Sequence, residues 1–334
     1  VQPARFIRNG SPLSGVIGYN WRVMMAVRSN LVGLSDGQRL AQARSAGMDR
    51  GCRMAYMSCK PSPPLNAYIE DLYYLDGPAA YPRQKVLPVV SANLMVNLGD
   101  PFNVYAPDQA RPFMTCTESW WVGVWNTYHR VDWPPNVRLF GVHFKPGGAY
   151  PLLGLPLSEM NRQVVPLAAL WGRGASEMRE RLHAAPTIQA GFALLEQQLL
   201  LRLCEVPDRL GLVQHAISEI GHHHGALPIR ELSDQMGISQ NYLGAQFKRF
   251  VGVPPKEVAR FYRFAHALRL IDVTQPIDLT WIAHQSQFYD QSHFNKDFVA
   301  FTGLNPSEYV QLRRRVAAEN PDYPRILPLN LPIG

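Results

Sequence analysis

The stretch "FVAFTGLNPSEYV", residues 298–310, repeats the frame of an earlier one, "FKRFVGVPPKEVA", residues 247–259. Phe298, Phe301, Gly303, Pro306 and Glu308 answer Phe247, Phe250, Gly252, Pro255 and Glu257 at a constant offset of 51 residues. The chain therefore builds one small unit twice. Each copy can be followed back to its start. In "IRELSDQMGISQNYLGAQFKRFVG" (229–252), Ile229, Leu232 and Met236 form an apolar stripe, and Gly237 stands where a left-handed residue ends a helix. Ser239 then caps a second helix that turns Leu243, Phe247 and Phe250 inward. Small Ser233 lies four residues before the glycine, where two crossing helices approach closely.

The later copy, "LTWIAHQSQFYDQSHFNKDFVAFTG" (279–303), repeats the pattern. Trp281 and Ile282 are its apolar positions, Ala283 its small residue, Asp290 its cap, and Phe294, Phe298 and Phe301 its inward residues. Ile238 to Leu243 is five steps and Phe288 to Phe294 is six, so the second turn holds one extra residue. Between the copies, "PPKEVARFYRFAHALRLIDVT" (254–274) places Val258, Phe261, Ala265 and Leu268 on one helical face behind an opening proline. About 18 helical residues give a rod of roughly 27 Å. That rod can hold two reading helices near the ~34 Å spacing of successive major-groove segments. Paired hairpins can also pack as a bundle or solenoid. The capped second helices, the small residue and the shared FxxFxG ending favour two helix-turn-helix units.

Residues 227–310 resemble the DNA-binding domain of the AraC/XylS family of bacterial transcription regulators. "LSDQMGISQNYLGAQFKRFVGVPPKEV" carries the first half of the resemblance and "IAHQSQFYDQSHFNKDFVAFTGLNPSEYV" the more distinctive second half. The section "GVHFKPGGAYPLLGLPLSEMNRQVVPLAALWG" (141–172) resembles the amino-terminal domain of one AraC subgroup, with no ligand assigned. The resemblance implies that the first reading helix presents Asn241, Gly244 and Ala245 to the bases. Ser239 opens that helix and Gln240 and Gln246 flank its reading positions. The second presents Gln291, Ser292, Asn295 and Lys296. Amides suit adenine and Lys296 can reach guanine. Lys248 and Arg249 are candidates for phosphate contact. Gly244 and Ala245 are shorter than the polar side chains frequent in the family, and Gln287 replaces its turn glycine. The second turn is accordingly expected to differ in shape, and the second unit to carry more of the base reading.

Ahead of this domain the texture is different. "YIEDLYYLDG" (68–77), "NLMVNLGD" (93–100) and "NVRLFGVHFKPGG" (136–148) read as strands ended by turn residues. In the last, Val137, Leu139, Gly141 and His143 share one face, with Arg138, Phe140, Val142 and Phe144 on the other. "GASEMRERLHAA" (174–185), "TIQAGFALLEQQLLLRLC" (187–204) and "LVQHAISEI" space apolar residues at helical intervals. The expected fold class is α+β. A β-rich sandwich or small barrel (55–210, closing with helices) precedes a linker helix and His-rich hinge (211–226). An all-α unit with two helix-turn-helix motifs on a long helix follows (227–316). Residues 1–54 are read as a flexible extension, and 317–334 as a Pro-rich tail.

Composition narrows the function. With 46% hydrophobic and 18% charged residues the chain is globular, and no apolar run approaches the length of a membrane helix. The net charge of +7 is weak evidence for DNA, because eight arginines against two aspartates before Ala55 account for most of it. Four cysteines without a CxxC pair do not form a disulfide framework, and the expected compartment is the cytoplasm. "HHH" at 222–224 reads as a solvated linker rather than a metal site, and no cofactor or metal is expected. No catalytic constellation stands out, so an enzyme is not expected. The aromatic stretch "SWWVGVWNTYHRVDW" (119–133) suggests an effector pocket in the β domain, with Trp121, Trp125, Tyr128 and His143 as ligand candidates. The expected partners are double-stranded DNA, RNA polymerase for an activator, a small effector and a second copy of the chain, with no membrane. The competing reading is a ligand-binding protein or enzyme whose helical domain only mediates protein contacts.

Overall fold

The computed structural model describes residues 54–205, 207–320 and 330–333. Residues 1–53, and with them all but the last residue of the expected flexible extension, lie outside that set. Eleven antiparallel strands among the described residues form two sheets. The first, six-stranded, runs in the order β1 (Ala55–Cys59), β2 (Ile69–Asp76), β9 (Arg138–Phe144), β4 (Asn93–Asn97), β7 (Ser119–Val122) and β10 (Val164–Pro166). The second, five-stranded, runs β11 (Asn330–Pro332), β3 (Arg83–Val86), β8 (His129–Asp132), β5 (Phe102–Tyr105) and β6 (Met114–Cys116).

The six-stranded sheet is buried on both faces, and alternation along each strand sorts its side chains. Tyr73, Leu75, Trp120, Val122 and Leu139 meet Phe102, Val104 and Val131 of the other sheet. Leu72, Tyr74, Trp121, Phe140, Val142 and Phe144 turn the other way, into a helix-covered core. The two faces read along 137–144 are the two faces observed. Gly141 is required by this arrangement, because a Cβ there would lie 2.1 Å from the Tyr73 ring.

Helices cover the outward face: α1 (Tyr150–Leu153), α2 (Leu167–Trp171), α3 (Arg173–His183), α4 (Ile188–Leu200) and α5 (Arg209–His222). Thr187 caps α4 by accepting from the Ala190 N–H at 3.1 Å. The close approach of α4 to the sheet depends on Gly191, whose Cβ would meet the Phe140 ring at 2.3 Å. The α+β class with a β-rich first half holds.

The second half contains α6 (Ile229–Gln235), α7 (Gln240–Phe250), α8 (Pro255–Leu270), α9 (Leu279–Gln285), α10 (Gln291–Thr302) and α11 (Pro306–Glu319). With 16 residues, α8 spans about 24 Å, somewhat less than the rod expected from sequence. It is buried on two sides. Val258, Ala259, Phe261, Tyr262 and Ala265 join the core shared with α5 and α7, while Phe264, Ala267 and Leu268 join that of α9, α10 and α11. Arg260 pins α10 to α8, donating to Asp297 at 2.6 Å and to Glu257 at 2.8 Å.

His222, His223 and His224 are exposed, as a solvated linker has them, but the segment is held locally against α8. The His224 ring stacks on His266 of α8 at 4.1 Å, and a Cβ on Gly225 would lie 2.0 Å from the Ala259 carbonyl oxygen. The Pro-rich end of the chain likewise has a structural role, since Asn330–Pro332 pairs with β3. Leu331 is fully buried in the core of the second helix-turn-helix unit, beside Leu87. Leu331→Ala is therefore expected to cost about 2–5 kcal/mol in chemical denaturation. An unchanged midpoint would remove β11 from the core.

Candidate DNA interface and sensor cavity

Both predicted reading helices are built as their sequences require. Ser239 Oγ accepts from the Tyr242 N–H at 3.2 Å, and Asp290 Oδ1 from the His293 N–H at 2.7 Å. Each side chain satisfies one of the donors a helix start leaves open. Phe247 and Phe250 in α7, and Phe294, Phe298 and Phe301 in α10, are buried. At the second exit, Gly303 takes φ 66° and Asn305 opens α11 with a reciprocal capping box to Glu308.

The two turns begin identically and then diverge. Gly237 and Gln287 both take left-handed φ, 66° and 55°. The Ile238 N–H donates to the Ser233 carbonyl, and the Phe288 N–H to the Ala283 carbonyl, each at 3.1 Å. Loss of the glycine thus leaves the first part of the turn unchanged and places a side chain in a conformation that favours glycine, so the difference in shape comes from the inserted residue rather than from Gln287. The extra residue follows it. Tyr289, inserted before the Asp290 cap, is 92% exposed.

Most of the predicted contact residues share open surface. Ser239, Gln240, Asn241, Ala245, Lys248, Arg249, Gln291, Ser292, Asn295 and Lys296 are exposed, and Gly244 is half-buried with open space where a Cβ would point. Gln246 is the exception: it is buried among the inward residues of α7 and drops out of the reading face. Arg249, expected to meet phosphate, donates to the Tyr150 hydroxyl at 2.8 Å and lies against that ring. Of the two apolar positions read on the first helix of the second unit, Ile282 fills the core and Trp281 is half exposed.

The opposite ends of the reading helices are fastened to the β domain. Lys85 Nζ donates to the Thr302 carbonyl at 3.2 Å and Thr127 Oγ1 to the Ala300 carbonyl at 2.9 Å, both at the C-terminal end of α10. Asn161 Nδ2 donates to the Gly252 carbonyl just beyond α7. These donors satisfy carbonyls that helix ends leave open, and the Lys85 cation meets the negative end of the α10 dipole. Half-burial pulls the Lys85 pKa below its usual value, with Arg130 adding to the effect.

A cavity of about 70 Å³ lies between the sheets. Of the four ligand candidates only Trp125 lines it, together with Trp120, Trp133 and His129 from the same aromatic stretch. The other three are placed elsewhere. Trp121 is fully buried on the helix-facing side against Phe144, because adjacent residues of β7 point to opposite faces. His143 Nδ1 lies 2.6 Å from Asp71 Oδ1, and its ring stacks on Tyr73. Tyr128 lies under Lys85 at the contact with Gly303. Sequence reading missed Ser91, Asn93 and Asn330 as lining residues. For Asn93 the signal was present, since β4 alternates Asn93 and Met95 with Leu94 and Val96. For Asn330 there was none. Burial holds the His129 ring down at about 4, so it is neutral at pH 7.

Residues 232–312 match the family model described as a helix-turn-helix domain. The carboxy-terminal unit is an AraC-type helix-turn-helix domain. Residues 57–166, the strands from β1 to β10, match a family described as a domain of unknown function, DUF6597. The lactose operon transcription activator of Staphylococcus xylosus is 26% identical over 98 residues, 29% of this chain. The chain spans about a third of the length of that curated relative, 35%. Among solved structures, ToxT from Vibrio cholerae O395 is 12% identical at a TM-score of 0.37, over 78% of this chain and 96% of that one. Unsaturated fatty acid bound wild-type ToxT from strain SCE256 is 12% identical at 0.36, over 78% and 94%. Likenesses this remote carry no inference about the present chain. Among the described residues no helix is long and apolar enough to cross a membrane.

Two substitutions probe the AraC-type unit. Gln287→Gly should raise the stability of the second unit by about 1 kcal/mol, because glycine takes a left-handed φ without steric cost. Thermal unfolding without an upward shift would contradict a strained Gln287. Gln291→Ala and Lys296→Ala should each weaken specific DNA binding by about 1–3 kcal/mol. Gln246→Ala should leave sequence preference intact in the same gel-shift competition, and equal losses for all three would refute the geometric sorting.

Proposed function

We propose that the chain is a sequence-specific transcriptional regulator, an activator, that binds double-stranded DNA through α7 and α10 and senses a small effector in its β domain. The carrying observation is the pair of capped helices whose N-terminal halves are exposed while their C-terminal ends are anchored. Exposed N-caps leave backbone N–H groups free for phosphate, and side chains of the first turns reach base edges. Gln291, Asn295 and Lys296 give the second unit the longer hydrogen-bonding side chains, with Asn241 and small Gly244 and Ala245 in the first. Tyr289 adds an exposed aromatic beside the second reading helix, suited to contact with sugar or a thymine methyl group. The curated relative's description as an activator supports the sign of regulation. RNA polymerase and a second copy of the chain are the partners proposed for such a role.

Regulation is proposed to run through residues that belong to both halves. Leu87 lines the cavity and packs in the core of the second unit, and Asn330 lines it from the strand that also carries Leu331. A ligand favouring one arrangement of Leu87 and β11 would bias how α10 sits against Lys85 and Thr127, an equilibrium set by its differential affinity.

The test is an anisotropy titration of the full chain with mixed-sequence duplexes at two salt concentrations. Binding at low salt should weaken as salt rises, and Lys248→Ala, at a phosphate-contact candidate, should reduce the slope of log K against log salt by about 1. Absence of duplex binding at low salt would overturn the reading.

A further inference from the structure

The wall of the inter-sheet cavity contains no Lys, Arg, Asp or Glu. Its one ionisable ring near neutrality, His129, is held in the uncharged form by burial. Apolar and aromatic groups dominate: Leu75, Val104, Trp120, Val131 and Leu139 among them. Yet several lining residues carry buried polar atoms with no partner among the described protein groups. These are Ser91 Oγ, Asn93 Oδ1, Trp125 Nε1, His129 Nδ1 and Trp133 Nε1. Folded proteins pair such atoms almost everywhere, because an unpaired buried donor or acceptor is costly. Five such atoms on residues that line one small apolar space need a common explanation.

We propose that the cavity binds a compact, uncharged, largely apolar molecule carrying one or two hydrogen-bonding groups, such as a small alcohol or amide, and excludes carboxylates. The inference rests on the reading of the β domain as the sensor and names its ligand class. Apolar walls supply the affinity, and the Trp N–H donors with the Ser91, Asn93 and His129 atoms supply orientation. A carboxylate entering the same space would lose its hydration with no counter-charge to replace it. Size sets a second limit. At about 10–15 Å³ of such volume per water-sized atom, the present space holds about five atoms, below the ~150 Å³ known to take a benzene ring. A single ring therefore requires the walls to yield, and those walls include Leu87, which also packs in the core of the second helix-turn-helix unit.

The test uses two molecules of nearly equal shape, isobutyramide and isobutyrate, titrated into the full chain at pH 7. Emission from the lining tryptophans reports occupancy, and duplex binding is measured on the same samples. The amide should give a saturable change at least tenfold tighter than the carboxylate. Ser91→Ala and Asn93→Leu should weaken the amide while leaving the melting temperature equal or higher, since each removes an unpaired buried polar atom. A purely structural role for those atoms would lower the melting temperature without touching the amide preference, and would overturn the assignment. So would equal binding of the two probes, or no response to either, which would leave the polar atoms to ordered water. Failure of the DNA reading would register separately, as lost duplex binding with the amide response intact.

Discussion

The carbonyl groups at the C-terminal ends of α7 and α10 are where the two halves of this molecule are joined. A helix end leaves its last carbonyls without partners, and burying them demands donors from elsewhere. Lys85, Thr127 and Asn161 of the β domain supply those donors. The same contacts fix which part of each reading helix can meet DNA, because the fastened ends point inward and the capped ends stay exposed. The restraint on α10 comes from a lysine whose charge is half withdrawn from water, so it is sensitive to any shift of β3.

Helix α8 makes the second half of the molecule possible. Its two buried faces let one rod enter the core of each helix-turn-helix unit, and the Arg260 bridge to Asp297 sets the rotation of α10 about it. An ion pair with hydrogen bonds on both sides discriminates among packings that apolar contacts alone would allow. On the other side of the molecule, the six-stranded sheet does a comparable job by separating the helix-covered core from the cavity. Leu87 and β11 connect these two systems. That connection gives the proposed sensor a physical route to the second reader without any long chain of intermediates.

Much of the AraC-type unit was legible from local pattern. Ser239 and Asp290 had to be caps because each precedes an amphipathic run, and the six-step spacing from Phe288 to Phe294 announced the extra residue that proves to be Tyr289. The aromatic stretch 119–133 correctly marked the region of the cavity, and a period of two separates Trp120 from Trp121 by faces. Which face borders the cavity was not legible, since both sides of a doubly buried sheet are apolar. His143 and Tyr128 were misplaced for that reason: each is a polar aromatic near the right strands, committed to Asp71 and to Lys85 respectively. Gln246 was misplaced by its place in the family pattern, which does not register that α7 buries that side of its helix.

What the sequence determined by itself is therefore the set of elements and their order: strands with two sortable faces, then helices, then a repeated unit with caps and a turn that tolerates Gln287. These follow from interactions within about a turn of helix or between neighbouring strands, where residue spacing is geometry. Only the tertiary structure decided where those elements meet. The docking of α10 on Lys85, the return of β11 to pair with β3, and the gathering of residues with unpaired polar atoms along the lining of an uncharged cavity join residues as far as 248 positions apart. No periodicity encodes contacts of that range, because they depend on how whole layers pack and on which buried groups find partners when they do.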